Sequence, residues 1–492
     1  MAKNRVGVEK VTELVLASGN SKVISRRKLV MLQAIAILGG WLLMMGQHDR
    51  SESLFYYFRI EDQVPQNHLL RFIDRYVSFD FVREKLRASY SETGRPSIDP
   101  EVLLRILLLG YLYGITSERK LLEELRMHLA WRWFTGLGFE QEIPHHSTFS
   151  KNRHGRFQES NLFQELFERI VEQCIAAGLV EGEQMSVDGS FIMANASHHS
   201  RIPREQFTEA AQVNYGARKY LEELEQENGD GEPIHQQDKV STTDPDSTYL
   251  TKGNRAAELG YFDNYLIDNE SCVIVGVQAT AARLSQESAA ARDMIDRYYE
   301  RYGRRPMGVA ADNTYGNGEL LQWLDDRGIT PYIRVKEGPN SPPDLYGIEK
   351  FTYVPEENCY LCPAGKPLNY VGINKRNRAH RYYSTVKRCR GCGQKPQCTR
   401  GKFRTIAIHT CEAARQKADE VAKTPEFAVA LRKRRKVEAL FSELKNLIGL
   451  RRLRLRRIKF VREQFYLAAV AQNLKRLVRF LNMRAQPAMA SA

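Results

Sequence analysis

Acidic side chains are scarce relative to basic ones. The 492-residue chain has 59 Asp plus Glu against 73 Lys plus Arg, so its formal net charge is +14 at pH 7. A basic surplus of this size favours a polyanionic partner, most often nucleic acid. Charge alone also leaves open a basic soluble protein without such a partner. With 42% hydrophobic residues, the composition is that of a folded soluble protein, and the length allows about two to four domains.

Cysteine is almost absent outside one segment. Cys174 and Cys272 stand alone in apolar surroundings, which is typical of small core residues, and the other six cysteines lie between Cys359 and Cys411. Clustering of this kind in a basic chain argues against a disulfide framework and favours a metal site.

Long apolar runs are missing except at residues 29–46, "LVMLQAIAILGGWLLMMG", which follow "RRK". This run is a minimal candidate for a membrane span, and no clear small-residue cleavage site follows it. The basic flank would export the rest of the chain and separate it from nucleic acid. We therefore expect no membrane partner. We predict that residues 1–52 are an N-terminal extension, with residues 1–44 dispensable, and one interpretation places the true start at Met44 or Met45.

The next region, residues 53–160, is predicted to be helical. Asp99 followed by Pro and Glu is a strong helix start, and two apolar helical patterns precede a short basic segment. This order fits a helix-turn-helix-like DNA-binding domain that uses Lys151, Arg153 and Arg156. A plain helical bundle with a solvated basic edge is the alternative.

From residue 180 onward, strand and helix patterns alternate, and no internal repeat is evident. Residues 180–340 contain a predicted hairpin that turns at Asp268-Asn269, followed by helix–strand alternation, which indicates an α/β layer with a mixed sheet. Residues 341–425 interrupt this order with the cysteines and many basic residues. Residues 426–480 then read as two long helices.

Two acidic residues stand at positions where α/β sheets place ligand sites. Asp188 lies in "SVDGS", after the apolar start of a predicted strand, and Asp312 follows the apolar strand in "VAADNTYG". Strand ends of this kind favour metal or ligand binding. Each motif alone is weak, because an Asp beside a turn is more often a turn residue.

A third acidic residue, Glu438, lies inside the very basic stretch "KRRKVEALFSELKNLIGLRRLRLRR". On a helical projection Arg434, Glu438 and Lys445 align along one flank of an apolar stripe, and Glu443 falls on the other side. The stripe consists of Val437, Leu440, Phe441, Leu444 and Ile448. A salt-bridged helix surface is the ordinary explanation for such a pattern. The helical projection instead allows Glu438 to face a pocket between two cations.

With these motifs the sequence resembles the DDE transposases of bacterial insertion sequences. "VDGS", "ADNTY" and "RKRRKVEALFSELK" look like the three acidic motifs of that family in order, and the spacing of Arg434, Glu438 and Lys445 matches the last one. The family also has a Tyr three positions before that Arg, where this chain has Leu431. The resemblance spans about residues 50–480.

The resemblance implies an α/β fold: a ribonuclease H-like catalytic core with an inserted Cys-containing β region, preceded by an all-α DNA-binding domain. Asp188, Asp312 and Glu438 would be the catalytic residues and would bind Mg²⁺ or Mn²⁺, since hard cations prefer carboxylate oxygens. Arg434 and Lys445 would hold DNA phosphates.

The implied partners are the element's terminal inverted repeats and target DNA, with a homodimer or higher synaptic oligomer. The implied location is the bacterial cytoplasm, in association with the nucleoid. A metal-dependent nuclease without strand transfer and a non-catalytic DNA-binding relative are the alternatives. A membrane protein would rest on residues 29–46 alone.

The paired motifs "CYLC" and "CRGC" give Cys359, Cys362, Cys389 and Cys392. Four thiolates at this spacing suit tetrahedral Zn²⁺, and Cys398 could replace one of them. Reduced thiols in a small β insertion are the alternative.

Overall fold

The computed structural model describes residues 57–90, 97–157, 160–228, 238–250, 256–281, 284–336, 344–375 and 378–490. The predicted N-terminal extension and its apolar run lie outside these residues. Arg59–Ala492 form one compact unit. Across the described ranges, no helix combines the length and the apolar character that crossing a membrane requires.

The α-helices run, in chain order, as α1 Ile60–Gln63, α2 Leu69–Tyr76, α3 Phe81–Leu86, α4 Pro100–Leu112, α5 Glu118–Met127, α6 Leu129–Thr135, α7 His146–Asn152, α8 Leu162–Ala176, α9 Phe207–Val213, α10 Tyr215–Asn228, α11 Leu284–Tyr302, α12 Gly318–Asp325, α13 Val386–Cys389, α14 Lys395–Cys398, α15 Glu412–Ala422, α16 Pro425–Asn446 and α17 Ile458–Ala490.

The strands are β1 Gln184–Met193, β2 Arg201–Pro203, β3 Lys239–Ser241, β4 Thr248–Leu250, β5 Glu258–Asp268, β6 Ile274–Ala281, β7 Gly308–Ala310, β8 Thr330–Tyr332, β9 Thr352–Val354, β10 Cys359–Leu361, β11 Pro367–Asn374, β12 Ala379–Tyr383 and β13 Thr405–His409.

The local sequence explains where α4, the longest helix within residues 53–160, begins. The Asp99 side chain accepts a 2.8 Å hydrogen bond from the backbone N–H of Glu101, and Pro100 occupies the first turn of α4. Proline costs nothing there because its missing N–H would have had no helical partner. The predicted start of this helix is therefore confirmed.

The central sheet is mixed, with the order β4-β5-β1-β7-β8, and β6 also pairs with β5. β1 runs antiparallel to β5 and parallel to β7, and β7 runs parallel to β8. The predicted hairpin is β5–β6, and its turn follows Asp268.

The two faces of this sheet are covered by different helices. Asp188 and Tyr265 are directly paired on β1 and β5, so their side chains share one face, and Tyr265 stacks on Phe441 of α16 at 5.5 Å. On the other face, Met294 of α11 lies against Gly276 of β6. The face that carries Asp188 is thus the face covered by α16.

Among the described residues, a second sheet is antiparallel, with the order β13-β12-β11-β10-β9. It lies between β8 and α15 in the sequence. Its own core is small and consists of Phe351, Leu368, Tyr382 and Ile406.

The helical region and the central sheet share one hydrophobic core. The long helix α17 packs on α2, α4 and α8 as well as on β6. Leu108 of α4, Ile170 of α8 and Leu467 of α17 are all fully buried within this core. The protein is therefore a mixed α/β structure with a helical N-terminal region packed directly on a sheet core.

Candidate active site

Asp188 and Asp312 lie level with each other on neighbouring strands. Ser186 of β1 pairs in parallel with Ala310 of β7, and each aspartate follows two residues later. Asp312 stands just beyond the end of β7, where its side chain accepts a 2.8 Å hydrogen bond from the backbone N–H of Thr314. The register thus brings together two of the three predicted acidic residues.

The helix α16 adds a cation to this pair. Arg434 donates a 3.0 Å hydrogen bond from Nη2 to Oδ2 of Asp188, and the two side chains are only 17% and 15% exposed. The other carboxylate oxygen, Oδ1, accepts from the backbone N–H of Gly189 at 2.8 Å. Arg434 therefore holds a site carboxylate directly.

The two glutamates of α16 have different surroundings. Glu438, one turn after Arg434, is exposed and has no side-chain hydrogen bond or ion pair to any residue that the structure describes. Glu443 instead accepts hydrogen bonds from Gln472 and Arg476 of α17. The predicted apolar stripe between them is buried. Glu443 is thus tied to the neighbouring helix, whereas Glu438 is available to solvent and ligands.

Lys445, the third member of the predicted flank, is half-buried and lies near a buried carboxyl group. Asp263 of β5 is fully buried. Burial raises its pKa well above the usual range, and the positive charge of Lys445 acts in the opposite direction. A phosphate contact by Lys445 remains a prediction. The electrostatic interaction of Lys445 with Asp263 would compete with such a contact.

Glu287 and Tyr315 lie near Asp188 but were not predicted from the sequence. Glu287, in the first turn of α11, is only 6% exposed. Its Oε1 lies 3.2 Å from the point that a Cβ on Gly189 would occupy, and the Tyr315 hydroxyl lies 3.5 Å from the same point. Both groups therefore adjoin the residue after Asp188. No sequence signal separates Glu287 from an ordinary acidic residue at a helix start.

The pKa of the Tyr315 hydroxyl is affected by the carboxylates around it. Burial raises its pKa well above the usual range, and the carboxylates of Glu287, Asp188 and Asp312 raise it further. The hydroxyl is buried and has no hydrogen-bond partner within the described ranges. An unsatisfied buried donor beside three carboxylates indicates a polar site that a ligand could complete.

The donor chemistry of the site suits a hard divalent cation, because carboxylate oxygens predominate. Across the described ranges, however, no group of three or more His, Cys, Asp or Glu side chains is arranged to hold a metal ion. Arg434 occupies one oxygen of Asp188. The acidic residues thus fit such an ion in type, and binding would require Arg434 and the carboxylates to adjust.

The predicted DNA-contacting residues near α7 differ in exposure. Arg153 is only 2% exposed, and its Nη1 donates to Oε1 of Glu118 at 2.6 Å. A guanidinium that is buried and paired in this way is not accessible to a DNA phosphate in this conformation, which favours a structural role for Arg153. Arg156 is half-buried and bonds to Asn152 at 2.6 Å, whereas Lys151 is exposed.

The cysteines of the second sheet fall into two groups. Cys359 is buried in β10 and contacts Glu357 at 3.6 Å. Four others line one small cavity: Cys362, Cys389, Cys392 and Cys398. Burial raises the pKa of Cys398, and the other three thiols raise it further. All the cysteines in the described ranges are free of disulfide bonds.

Comparison with known proteins gives two family matches. Residues 58–155 match a transposase domain of the DUF772 family, and residues 361–478 match a transposase DDE domain. No curated protein matches the sequence. A solved structure that is similar, the cryo-EM structure of a piggyBac transposase synaptic complex with hairpin DNA, shares 7% identity, covers 86% of this chain and 74% of that chain, and has a TM-score of 0.34.

Proposed function

We propose that this chain, a DDE transposase of the insertion-sequence type, cleaves DNA at the element's ends and joins the freed 3′-hydroxyl to target DNA through a site built on Asp188, Asp312 and Glu438. The single observation that carries this site is the register of β1 and β7, which sets Asp188 level with Asp312, beneath the helix that bears Glu438. The two family matches at residues 58–155 and 361–478 support the overall activity.

A ribonuclease H-like core is part of the proposal. The hairpin β5–β6, the antiparallel pairing of β1 with β5 and the parallel strands β7 and β8 form the mixed sheet that such a core requires. Asp188 lies on the first strand of this sheet, and Glu438 lies on a helix that follows its last strand. The second sheet is inserted between that strand and that helix.

Asp188, Asp312 and Glu438 would hold Mg²⁺ or Mn²⁺, with Glu287 as an acidic neighbour on the opposite face of β1. Two such ions, when bound, activate the attacking oxygen and stabilise the leaving oxygen of an in-line displacement at phosphorus. The protein's own contribution is to orient these carboxylates. Arg434 fixes Asp188, and the hydrogen bond from Thr314 fixes Asp312.

Arg434 also has a role in substrate binding. With cations held by the acidic residues, its guanidinium would no longer be needed by Asp188 and could bind a DNA phosphate, for which its planar fork is suited. The nucleophile is water in the cleavage step and the 3′-hydroxyl in the joining step. The proposed partners are the terminal repeats and target DNA, bound by a dimer or higher oligomer in the bacterial cytoplasm.

The test uses a duplex that carries one end of the element, incubated with Mg²⁺ and the full chain. Wild-type protein should nick this duplex and then yield a product joined to target DNA. Asp188→Asn and Asp312→Asn should each abolish both products while the protein still binds the duplex. Cleavage without any joined product would identify a nuclease, and normal cleavage by either variant would remove that residue from the site.

A further inference from the structure

We propose that Cys362, Cys389, Cys392 and Cys398 bind a structural Zn²⁺ in the second sheet, and that Cys359 is not a ligand. This site is separate from the acidic residues and goes beyond DNA cleavage and joining.

The four thiols come from separate segments and meet at one cavity. Cys362 follows β10, Cys389 ends α13, Cys392 follows after a two-residue spacer, and Cys398 ends α14. The cavity has a volume of about 20 Å³, which suits a particle no larger than one water molecule. Four sulfur ligands are typical of structural tetrahedral zinc.

The backbone around Cys362 already supports a thiolate. The N–H of Lys366 points to the Cys362 sulfur at 3.4 Å, and the N–H of Gly365 donates to the Cys362 carbonyl at 2.7 Å. Gly365 has φ +68°, a left-handed conformation that glycine adopts without strain. A tight turn that directs a backbone N–H at sulfur stabilises the charged form that binds metal.

The charge around the cavity is also suitable. Lys366, Arg388, Lys395 and Arg404 line it together with the thiols. Four thiolates around Zn²⁺ carry a net charge of about −2, and nearby cations lower the cost of ionising thiols. No carboxylate of the described residues lines this cavity, so the zinc-bound thiolates would supply the negative charge that balances the four cations.

Strand geometry excludes Cys359. Successive side chains of β10 point to opposite faces of the sheet, and Tyr360 packs with Cys362 and Cys398 on the small core of the second sheet. Cys359 therefore points away from that core and contacts Glu357 instead. The regular CxxC pairing in the sequence is misleading because the first cysteine lies on the wrong face.

The second sheet also needs an additional source of stability. Among the described residues its buried core consists of Phe351, Leu368, Tyr382 and Ile406, and so small a core rarely holds a sheet together alone. Across the described ranges, no three His, Cys, Asp or Glu side chains are already arranged in metal-binding geometry. Binding would therefore draw the four side chains inward, and its free energy would contribute to folding.

The experiment measures the zinc content of the full chain purified without chelators, in wild type, Cys398→Ser and the matched control Cys359→Ser. Wild type and Cys359→Ser should carry about one zinc per chain, and Cys398→Ser should carry little. The same three proteins, stripped and reloaded with Co²⁺, should show the strong visible absorption of tetrahedral thiolate coordination only in wild type and Cys359→Ser. Far-UV circular dichroism checks that each variant is folded.

Three results would overturn the assignment. Wild-type protein that contains no zinc and takes up no Co²⁺ would show that these are reduced thiols. Loss of metal in Cys359→Ser, with or without loss in Cys398→Ser, would restore Cys359 as a ligand. Retention of full metal content and of the Co²⁺ spectrum in both variants would remove Cys398 from the site.

Discussion

The guanidinium of Arg434 donates a 3.0 Å hydrogen bond to the carboxylate of Asp188, a residue 246 positions earlier in the chain. This contact joins the long helix α16 to the central strand β1. It also explains part of the charge pattern on α16, where many cations surround few acids. At least one of those cations, Arg434, forms its ion pair with a carboxylate on the sheet, Asp188, and not with one on its own helix.

Replacing Arg434 should destabilise the protein. Arg434→Gln leaves the Asp188 carboxylate, only 15% exposed, without its charged donor, and loss of such a bond costs about 1–3 kcal/mol. Arg435→Gln, at an exposed position on the same helix, is the control and should change stability by less than about 0.5 kcal/mol. Urea unfolding at pH 7 in the absence of divalent cations measures both. Equal stability of the two variants would show that the contact contributes nothing.

The two glutamates of α16 should respond differently to the same change. Glu438→Gln removes a charge at nearly constant shape from an exposed side chain, so it should abolish nicking in Mg²⁺ with little effect on folding. Glu443→Gln weakens a contact with Arg476 and should cost about 0.5–1 kcal/mol of stability while cutting at near the normal rate. The assay is nicking of a duplex with the element's end at matched fractions of folded protein. If Glu443 proves essential, or if both variants cut alike, the third acidic residue has been assigned wrongly.

Glu287 should affect metal binding although no sequence motif marks it. Glu287→Gln removes a buried negative charge next to Gly189 and Tyr315, and the affinity for Mn²⁺ should fall about tenfold or more. Glu300→Gln, at an exposed position of the same helix, should bind Mn²⁺ like wild type. Isothermal titration with Mn²⁺ in the absence of DNA gives the answer without relying on cleavage. An unchanged affinity in Glu287→Gln would make its role purely structural.

Local signals in the sequence were sufficient for some elements. The helix start at Asp99, the hairpin turn after Asp268 and the buried stripe of α16 each depend on neighbouring residues or on one period, and the structure has all three. The different surroundings of Glu438 and Glu443 follow from the same helical projection. These features were predictable because they involve short separations along the chain.

Features that depend on distant partners were not predictable. Arg153 pairs with Glu118, 35 residues away, and nothing in the local basic segment distinguishes it from the exposed Lys151. Glu287 comes close to Gly189 of β1 only when α11 packs on β5 and β6. The four cysteines that line the cavity differ from the four that the CxxC spacing suggests, because the faces of β10 depend on strand pairing in three dimensions.

Lys151 and Arg153 provide a matched test of the helical region. Lys151→Ala removes an exposed cation, so DNA affinity should fall and the slope of log affinity against log salt should decrease by about 1 if the lysine contacts a phosphate. Arg153→Ala should leave that slope unchanged but cost about 3 kcal/mol of stability, because Glu118 loses its partner. Fluorescence anisotropy over a salt series and urea unfolding separate the two effects. A salt slope that changes in Arg153→Ala at full folding would return this arginine to the DNA interface.

Asp244 should make stability depend on pH. It is fully buried, accepts a 2.6 Å hydrogen bond from the Tyr261 hydroxyl and a 2.9 Å bond from the backbone N–H of Arg457, and so anchors the start of α17. Burial raises the pKa of Asp244 to about 6 from its ordinary value of 3.8. The folded state therefore binds more protons than the unfolded state between these two values, and this group lowers stability as pH rises through that window.

Between pH 4 and pH 7 this contribution amounts to about 2–3 kcal/mol. Asn cannot ionise, so Asp244→Asn should lack this pH-dependent loss of stability. The stability of Asp244→Asn relative to wild type should therefore increase as pH rises from 4 to 7. Asp293→Asn, at an exposed position, should follow the wild-type pH dependence. Urea unfolding of all three proteins at several pH values measures the difference directly. If Asp244→Asn and wild type change in parallel over this range, the carboxyl group of Asp244 is ionised in the folded protein, and its bonds to Tyr261 and Arg457 offset the cost of burial.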